Sequence, residues 1–294
     1  MVQNHVLLGR VSPYVAFQAY EEWSQPASIT GIVRLSDEFA CVFLEITPFY
    51  PVDDKWPDQP SDKGTFILDG HAVEIIGCFR AWFQENQDRI FFDVKKESIS
   101  AKYDCTVAHI VSIKSLEFLS IGARVWPKVD AGYRRAMSRH HTASHLFSLA
   151  LNQILHHVWD KDVSRDQRGY ADFDRIAIES SKISEHCSIE TYRIGKSLRK
   201  KGFKPTRLPL TSTMETDICN ILDEWLLDRH AITVTPSRGP LSEKRVWSCS
   251  LGGTSITMPC GGTHLTNTAE LGRVSCGIQY KDETLKCILR SVGV

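Results

Sequence analysis

Two pairs of metal-capable residues stand out in this chain: His141 with His145, and Cys260 with His264, each spaced i, i+4. Imidazole nitrogen and thiolate sulfur are borderline-soft donors, and two such half-sites suit one tetrahedral Zn²⁺. Histidines at i and i+4 on a helix share a face, with the rings about 6 Å apart. Cys260 and His264 flank Gly261-Gly262-Thr263, and the glycines permit a tight backbone that turns both side chains the same way. The 114 residues between His145 and Cys260 exclude a small zinc finger, whose ligands lie close in sequence. They imply a site assembled inside a domain. His140 precedes His141, but only His141 has the helical spacing to His145. Four protein donors would close the shell of a structural ion, whereas hydrolysis needs an open or displaceable position.

A helical period that begins near residue 134 must position the first pair. Phe147, Leu151, Ile154 and Val158 fall on one face, the single stripe expected to be buried, and His141 and His145 are offered on another shared with Ser148 and Asn152. A second helical pattern spans 183–201 and ends in Arg199-Lys200-Lys201 before Gly202. A third spans 213–229, with Ser212 and Glu215 spaced as a capping box. Strands are expected at 231–235, 246–250, 254–258, 272–280 and 285–289, so the second half reads as helices on an antiparallel sheet. Before residue 125 the pattern is mostly of strands, at 39–46, 65–78, 89–94 and 105–113, around a proline-rich loop at 48–64. Many short strands with few helices favour a small barrel or sandwich there. The expected class is α+β, with an N-terminal β-barrel over 1–127 and an α+β zinc-binding domain over 128–294.

Lys plus Arg equals Asp plus Glu, at 35 each, so any polyanionic partner must be met by a local patch rather than a global field. Such a patch exists: Arg193, Lys196, Arg199, Lys200, Lys201, Lys204 and Arg207 place seven cations in fifteen residues without an acid. Arg134, Arg135 and Arg139 add more beside the first histidine pair. Nine cysteines without a CxxC pair read as reduced thiols of a cytosolic protein. No stretch approaches the roughly 20 apolar residues of a membrane span, and the N-terminus lacks the pattern of a secretory signal.

Arg134-Arg135-Ala136-Met137-Ser138-Arg139-His140-His141-Thr142-Ala143-Ser144-His145-Leu146-Phe147 and Cys260-Gly261-Gly262-Thr263-His264 together resemble the AlaX proteins. These are free-standing relatives of the alanyl-tRNA synthetase editing domain, related more distantly to the editing domain of threonyl-tRNA synthetase. Phe49-Tyr50-Pro51 and Gln59-Pro60-Ser61-Asp62-Lys63-Gly64 resemble the family's FYPxGGGQPxDxG segment. The similarity spans roughly residues 40–280. It implies a translation-factor-like N-terminal barrel and an editing domain of the fold common to threonyl- and alanyl-tRNA synthetases. The implied activity is zinc-dependent and ATP-independent hydrolysis in trans of mischarged tRNA(Ala), Ser-tRNA(Ala) above all, in the service of translation fidelity. Three departures stand against the pattern. The glycine run before Gln59 is replaced by Val52–Asp58, the threonine before the second histidine is Ser144, and the family's glutamine and glycine-serine turn is not recognisable near Asp160-Lys161-Asp162.

On that resemblance His141, His145, Cys260 and His264 hold Zn²⁺. Ser144 is the candidate for recognising the substrate hydroxyl, and its alternative is a local bond to the backbone. The amides of Gly261 and Gly262, beside Thr263, are candidate oxyanion donors or merely shape the ligand turn. Arg134, Arg135, Arg139, Arg199, Lys200, Lys201 and Gln59 are the candidate tRNA contacts. Two other functions fit the same residues: a non-catalytic tRNA- or synthetase-binding relative with a structural zinc, and a zinc hydrolase of another small ester. The sequence leaves the oligomeric state open.

Overall fold

The computed structural model describes residues 14–16, 25–53, 56–84, 87–92 and 104–292. The chain is α+β, built mostly of antiparallel sheets with few helices. Its contacts divide it into two units: the described residues through Arg134 with Thr235–Arg245, and Arg135–Val234 with Val246 onward.

The first unit contains β1 (Tyr14–Ala16), β2 (Ala27–Arg34), β3 (Phe39–Leu44), β4 (Ile46–Thr47), β5 (Gly64–Leu68), β6 (His71–Ile75), β7 (Gly77–Gln84), β8 (Gln87–Phe91), β9 (Asp104–Ser112) and β10 (Arg124–Val129). Eight of these form one sheet in the order β6-β5-β10-β2-β3-β9-β7-β8. The ladder of described residues ends at β6 and β8, so the expected closed barrel is corrected to an open sheet. Alternation explains its core. On β3, Ala40, Val42 and Leu44 enter one apolar cluster while Cys41 and Phe43 enter another, so the strand reads as a continuous apolar run. The single strand expected at 65–78 is instead a hairpin followed by the start of β7. Asp69 and Gly70 both have positive φ, 48° and 81°, the two-residue turn that an Asp-Gly pair favours. The strand expected over 89–94 is only partly testable, because 93 and 94 lie outside the described residues.

The second unit is organised by α1 (Ala131–Leu155), whose first turn carries Arg134 in the first unit. The Asp130 carboxylate accepts from the Tyr133 backbone N–H at 2.9 Å and caps its N-terminus. Beyond α1 come α2 (Phe173–Ala177), β11 (Ile178–Ile183), β12 (Ser188–Arg193), α3 (Lys196–Lys200), α4 (Thr211–Leu227) and β13 (Ile232–Thr235). The first unit's β14 (Arg238–Pro240) is followed by β15 (Val246–Leu251), β16 (Thr254–Pro259), β17 (Arg273–Lys281) and β18 (Thr284–Val292). One antiparallel sheet has the order β11-β12-β18-β17 and another the order β13-β15-β16.

Three expectations change here. The helix expected over 183–201 is the β11–β12 hairpin and the short α3, because Ser188, Glu190 and Tyr192 alternate inward on a strand. The capping box at Ser212 and Glu215 is absent. Leu210 occupies the N-cap without a side-chain bond, and Glu215 accepts from the Ile278 N–H on β17 at 2.6 Å. Finally, α1 is buried on more than one stripe: His140, His141, Thr142 and Asn152 are as enclosed as Phe147 and Leu151. Among the described residues, no helix is long and apolar enough to cross a membrane.

Candidate metal centre

His141 and His145 lie in the middle of α1, where the i, i+4 spacing stacks their rings with centroids 5.0 Å apart. The second pair is delivered by a hairpin. Gly252 and Gly253, at φ 55° and 78°, turn β15 back into β16, which runs directly into Cys260. After His264 the chain is pinned by a capping box, in which Asn267 accepts from the Ala269 N–H at 2.8 Å and Glu270 accepts from the Asn267 N–H at 3.2 Å.

These elements bring one donor atom from each of His141, His145, Cys260 and His264 within 4.8 Å of one another, a group that could hold a metal ion. Cys260 Sγ lies 3.5 Å from His141 Nε2 and 3.2 Å from His264 Nε2. Donors around a tetrahedral ion with bonds of about 2.0–2.3 Å stand roughly 3.3–3.8 Å apart, so the set fits with little rearrangement. Burial holds the His141 imidazole down to about 3, and holds His145 and His264 well below the ordinary histidine range. All three are therefore neutral at physiological pH, the form that can bind a metal.

Polar contacts tie the two halves together. Thr142 Oγ1 accepts from the Leu265 N–H at 3.1 Å and lies 3.3 Å from His264 Nδ1. Such a partner fixes which imidazole nitrogen faces a metal. Ser138 donates to Thr263 Oγ1 at 2.9 Å, fastening the glycine turn to α1. His140, the neighbour in the His-His pair, is outside the group. Its Nδ1 lies 3.1 Å from the Ala136 carbonyl and its Nε2 accepts from the Ser291 N–H at 3.4 Å.

The other expected residues fall in several places. Ser144 turns towards the sheet, where its hydroxyl donates to Glu190 Oε1 at 2.7 Å. Gly262 and Thr263 are buried and Gly261 half-buried; a Cβ at Gly261 would meet nothing within 4 Å. Arg135, Lys200 and Lys201 are exposed and Arg139 is half-buried. Arg199 donates to Glu283 Oε1 at 2.6 Å, and Arg193 reaches the same carboxylate at 3.3 Å. Lys204 pairs with Asp160 at 2.8 Å. The cationic run is thus partly neutralised by its own neighbours. Arg134 is 4% exposed, and it is sequestered in an ion pair with Asp62 and a bond to the Pro48 carbonyl. Gln59 is buried beside the same segment. Asp62 also accepts from the Tyr50 N–H at 2.6 Å, so this part of the Gln59–Gly64 motif braces the Phe49-Tyr50-Pro51 turn. Gly64 belongs to the brace, because a Cβ there would sit 2.2 Å from the Lys128 carbonyl oxygen. In the Val52–Asp58 loop, Asp53 is held by Arg80 at 2.7 Å.

Glu190, Thr142, Trp247 and Gln167 were missed as members of the site's surroundings. Thr142 was visible inside the histidine motif. A glutamine and a glycine do occur together further along than Asp160–Asp162, at Gln167-Arg168-Gly169. Gln167 Nε2 donates to the Thr257 carbonyl at 2.9 Å and its Oε1 accepts from the Thr257 N–H at 2.7 Å, on the strand that leads to Cys260. Glu190 was hidden by the helical reading of its strand.

Sequence comparison matches most of the chain to part of one enzyme. An alanine–tRNA ligase from Saccharophagus degradans is 24% identical over 273 residues, covering 90% of this chain and 26% of the ligase. The chain is a homologue of part of alanine–tRNA ligase. The ligase of a Synechococcus strain is 26% identical over 278 residues, with 87% of this chain covered, and that of Frankia alni 26% over 268, with 88% covered. This homologue spans about a quarter of the length of the ligases it matches. No family model matches it.

Proposed function

We propose that this relative of alanine–tRNA ligase is an aminoacyl-tRNA deacylase that hydrolyses the ester of mischarged tRNA(Ala), with Ser-tRNA(Ala) as its preferred substrate. The observation that carries the proposal is the convergence of His141, His145, Cys260 and His264, from two motifs distant in sequence, into one metal-sized group. Homology to a segment of alanine–tRNA ligase supports tRNA(Ala) as the partner. We assign the group to Zn²⁺, which when bound supplies polarisation of an ester carbonyl and a water acidified towards about 7.

The chain's own residues do the rest. The amides of Gly261 and Gly262 are assigned to the developing oxyanion, on the side where Gly261 leaves open space. Ser144 is assigned to the seryl hydroxyl of the substrate. Its own proton is committed to Glu190, which leaves oxygen lone pairs to accept a hydrogen bond from the substrate. A site built to bond a hydroxyl rejects the analogue lacking it by as much as ~10⁴-fold. Thr263, held by Ser138, keeps the turn in register with the helix. The exposed Arg135, Lys200 and Lys201, with Arg139, supply phosphate contacts. With an N-terminal domain of 1–127 and an editing domain of 128–294, as we propose, all of these residues belong to the editing domain, and Gln59, the remaining candidate tRNA contact, to the N-terminal one.

One observation favours a second function. Four protein donors fill a tetrahedral shell, as in structural zinc sites. A non-catalytic tRNA-binding relative would have the same quartet. The deciding experiment incubates the protein with Ser-, Gly- and Ala-charged tRNA(Ala), with and without a chelator and beside Cys260→Ala. Chelator-sensitive loss of Ser-tRNA(Ala) supports the deacylase. Zinc-loaded, tRNA-binding protein without turnover establishes the binding function instead.

A further inference from the structure

We propose that Trp247 is a positioning residue for the metal centre, holding His145 by aromatic contact in place of the hydrogen-bond acceptor that usually orients a ligating imidazole. The inference rests on the assignment of a metal to the His/Cys quartet.

A metal-bound histidine ordinarily gives its second ring nitrogen to a carboxylate, carbonyl or other acceptor, which sets both tautomer and ring angle. His264 has such a neighbour in Thr142 Oγ1, at 3.3 Å. His145 does not: its Nδ1 is buried without a hydrogen-bond partner among the described residues. What meets its ring is Trp247, with centroids 4.9 Å apart and planes at 72°, an edge-to-face arrangement. The same indole lies 6.0 Å from the His264 ring at 54°.

Trp247 is well placed to act as a fixed wall. It is wholly buried, at 0% exposure. It sits on β15 directly opposite Met258 of β16, two residues before Cys260. One hairpin therefore carries both a thiolate donor and the ring that sets the angle of an imidazole on α1. Moving the hairpin would move both together, so the relation between Cys260 and His145 is set by a rigid element rather than by two independent loops. The Trp247 Nε1–H has no hydrogen-bond partner among the described residues, so packing, the contact with His145 included, holds the ring in place.

The test uses the full chain with Zn²⁺ and Co²⁺ as probes. Zinc affinity is measured by competition with a chromophoric chelator, and the Co²⁺ optical spectrum is recorded for wild type, Trp247→Phe, Trp247→Leu and Cys260→Ala. Trp247→Phe keeps an aromatic ring and is expected to retain near-wild-type affinity. Trp247→Leu is expected to bind zinc about 10–100-fold more weakly, the usual effect of losing an outer partner. Its Co²⁺ ligand-field bands should shift while the sulfur-to-cobalt charge-transfer band persists. Should Trp247→Leu fail to fold, Trp247→Met carries the same comparison. Unchanged affinity and spectrum in a folded non-aromatic variant overturn the role of Trp247 and leave the metal centre standing. Absence of metal binding in the wild type, or binding unaffected by Cys260→Ala, overturns the metal assignment and this inference with it.

Discussion

The Ser144 hydroxyl donates to the buried carboxylate of Glu190, 46 residues away on β12, at 2.7 Å. The serine preceding His145 is thereby held by the sheet beneath the helix, with its oxygen lone pairs left as its remaining polar capacity.

Replacing Ser144 by Ala should have two separable effects. Removing a donor from a buried acceptor costs about 1–3 kcal/mol, read as a lower midpoint in thermal or urea unfolding. The ratio of Ser-tRNA(Ala) to Ala-tRNA(Ala) hydrolysis should also fall by at least about tenfold, since the hydroxyl is the proposed discriminator. An unchanged ratio in a folded variant would remove Ser144 from specificity and leave it a structural residue.

Metal removal should destabilise the second unit. A ligand that binds only the folded state stabilises it by about 4 kcal/mol at a thousandfold excess over Kd. Zinc titration in differential scanning fluorimetry should therefore raise Tm with concentration, and a chelator should reverse the rise. Cys260→Ala should flatten the response. A Tm indifferent to zinc in the wild type would count against the centre.

Arg134 and the Lys200–Lys201 pair should separate stability from RNA binding. Arg134 is 4% exposed and paired with Asp62, so Arg134→Ala leaves a buried carboxylate uncompensated and costs about 3–5 kcal/mol. It should not change the salt dependence of tRNA affinity. Lys200→Ala with Lys201→Ala should behave in the opposite way, lowering the slope of log K against log salt by about two while leaving Tm unchanged. Filter binding over a salt series, beside unfolding curves, distinguishes the two classes.

Asp174 makes a pH-dependent contribution of definite sign. Burial pushes its carboxyl up from 3.8 to about 6, against the Tyr192 hydroxyl that donates to it at 2.8 Å. Between about pH 4 and 6 the folded state holds this proton more tightly than the unfolded chain, so its contribution to stability is lost as pH rises through that window. Asp174→Asn keeps an acceptor for Tyr192 and removes the titration. The stability difference between variant and wild type should therefore grow in the variant's favour from pH 4 to pH 6 and then level off. Urea midpoints across pH 4–7 would show it, and a difference independent of pH would refute it.

Much of the site was legible because its donors sit in contiguous motifs whose spacing is local. The i, i+4 histidines and the long helix follow from periodicity along one segment, and the Cys-Gly-Gly-Thr-His turn from its own glycines. The strands after residue 231 were legible for a similar reason: alternation and Gly-Gly or Asp-Glu turns mark them. The β11–β12 hairpin was not. Residues 183–201 carry helix-compatible spacing and a basic end, and pairing of β12 with β11 and β18 selects the strand. The barrel expectation failed because closure depends on the register between strands far apart in the chain.

By itself, then, the sequence determined which residues can ligate a metal, the helix and turn that present them, and the similarity to a segment of alanine–tRNA ligase. Tertiary structure decided what the flanking polar residues are left to do. Arg134 is committed to Asp62 rather than to solvent, Arg199 to Glu283, Ser144 to Glu190, and His145 to the ring of Trp247. Each partner lies tens of residues away, and a charge or hydroxyl is assigned by whichever partner folding brings within about 3 Å, which no local pattern encodes.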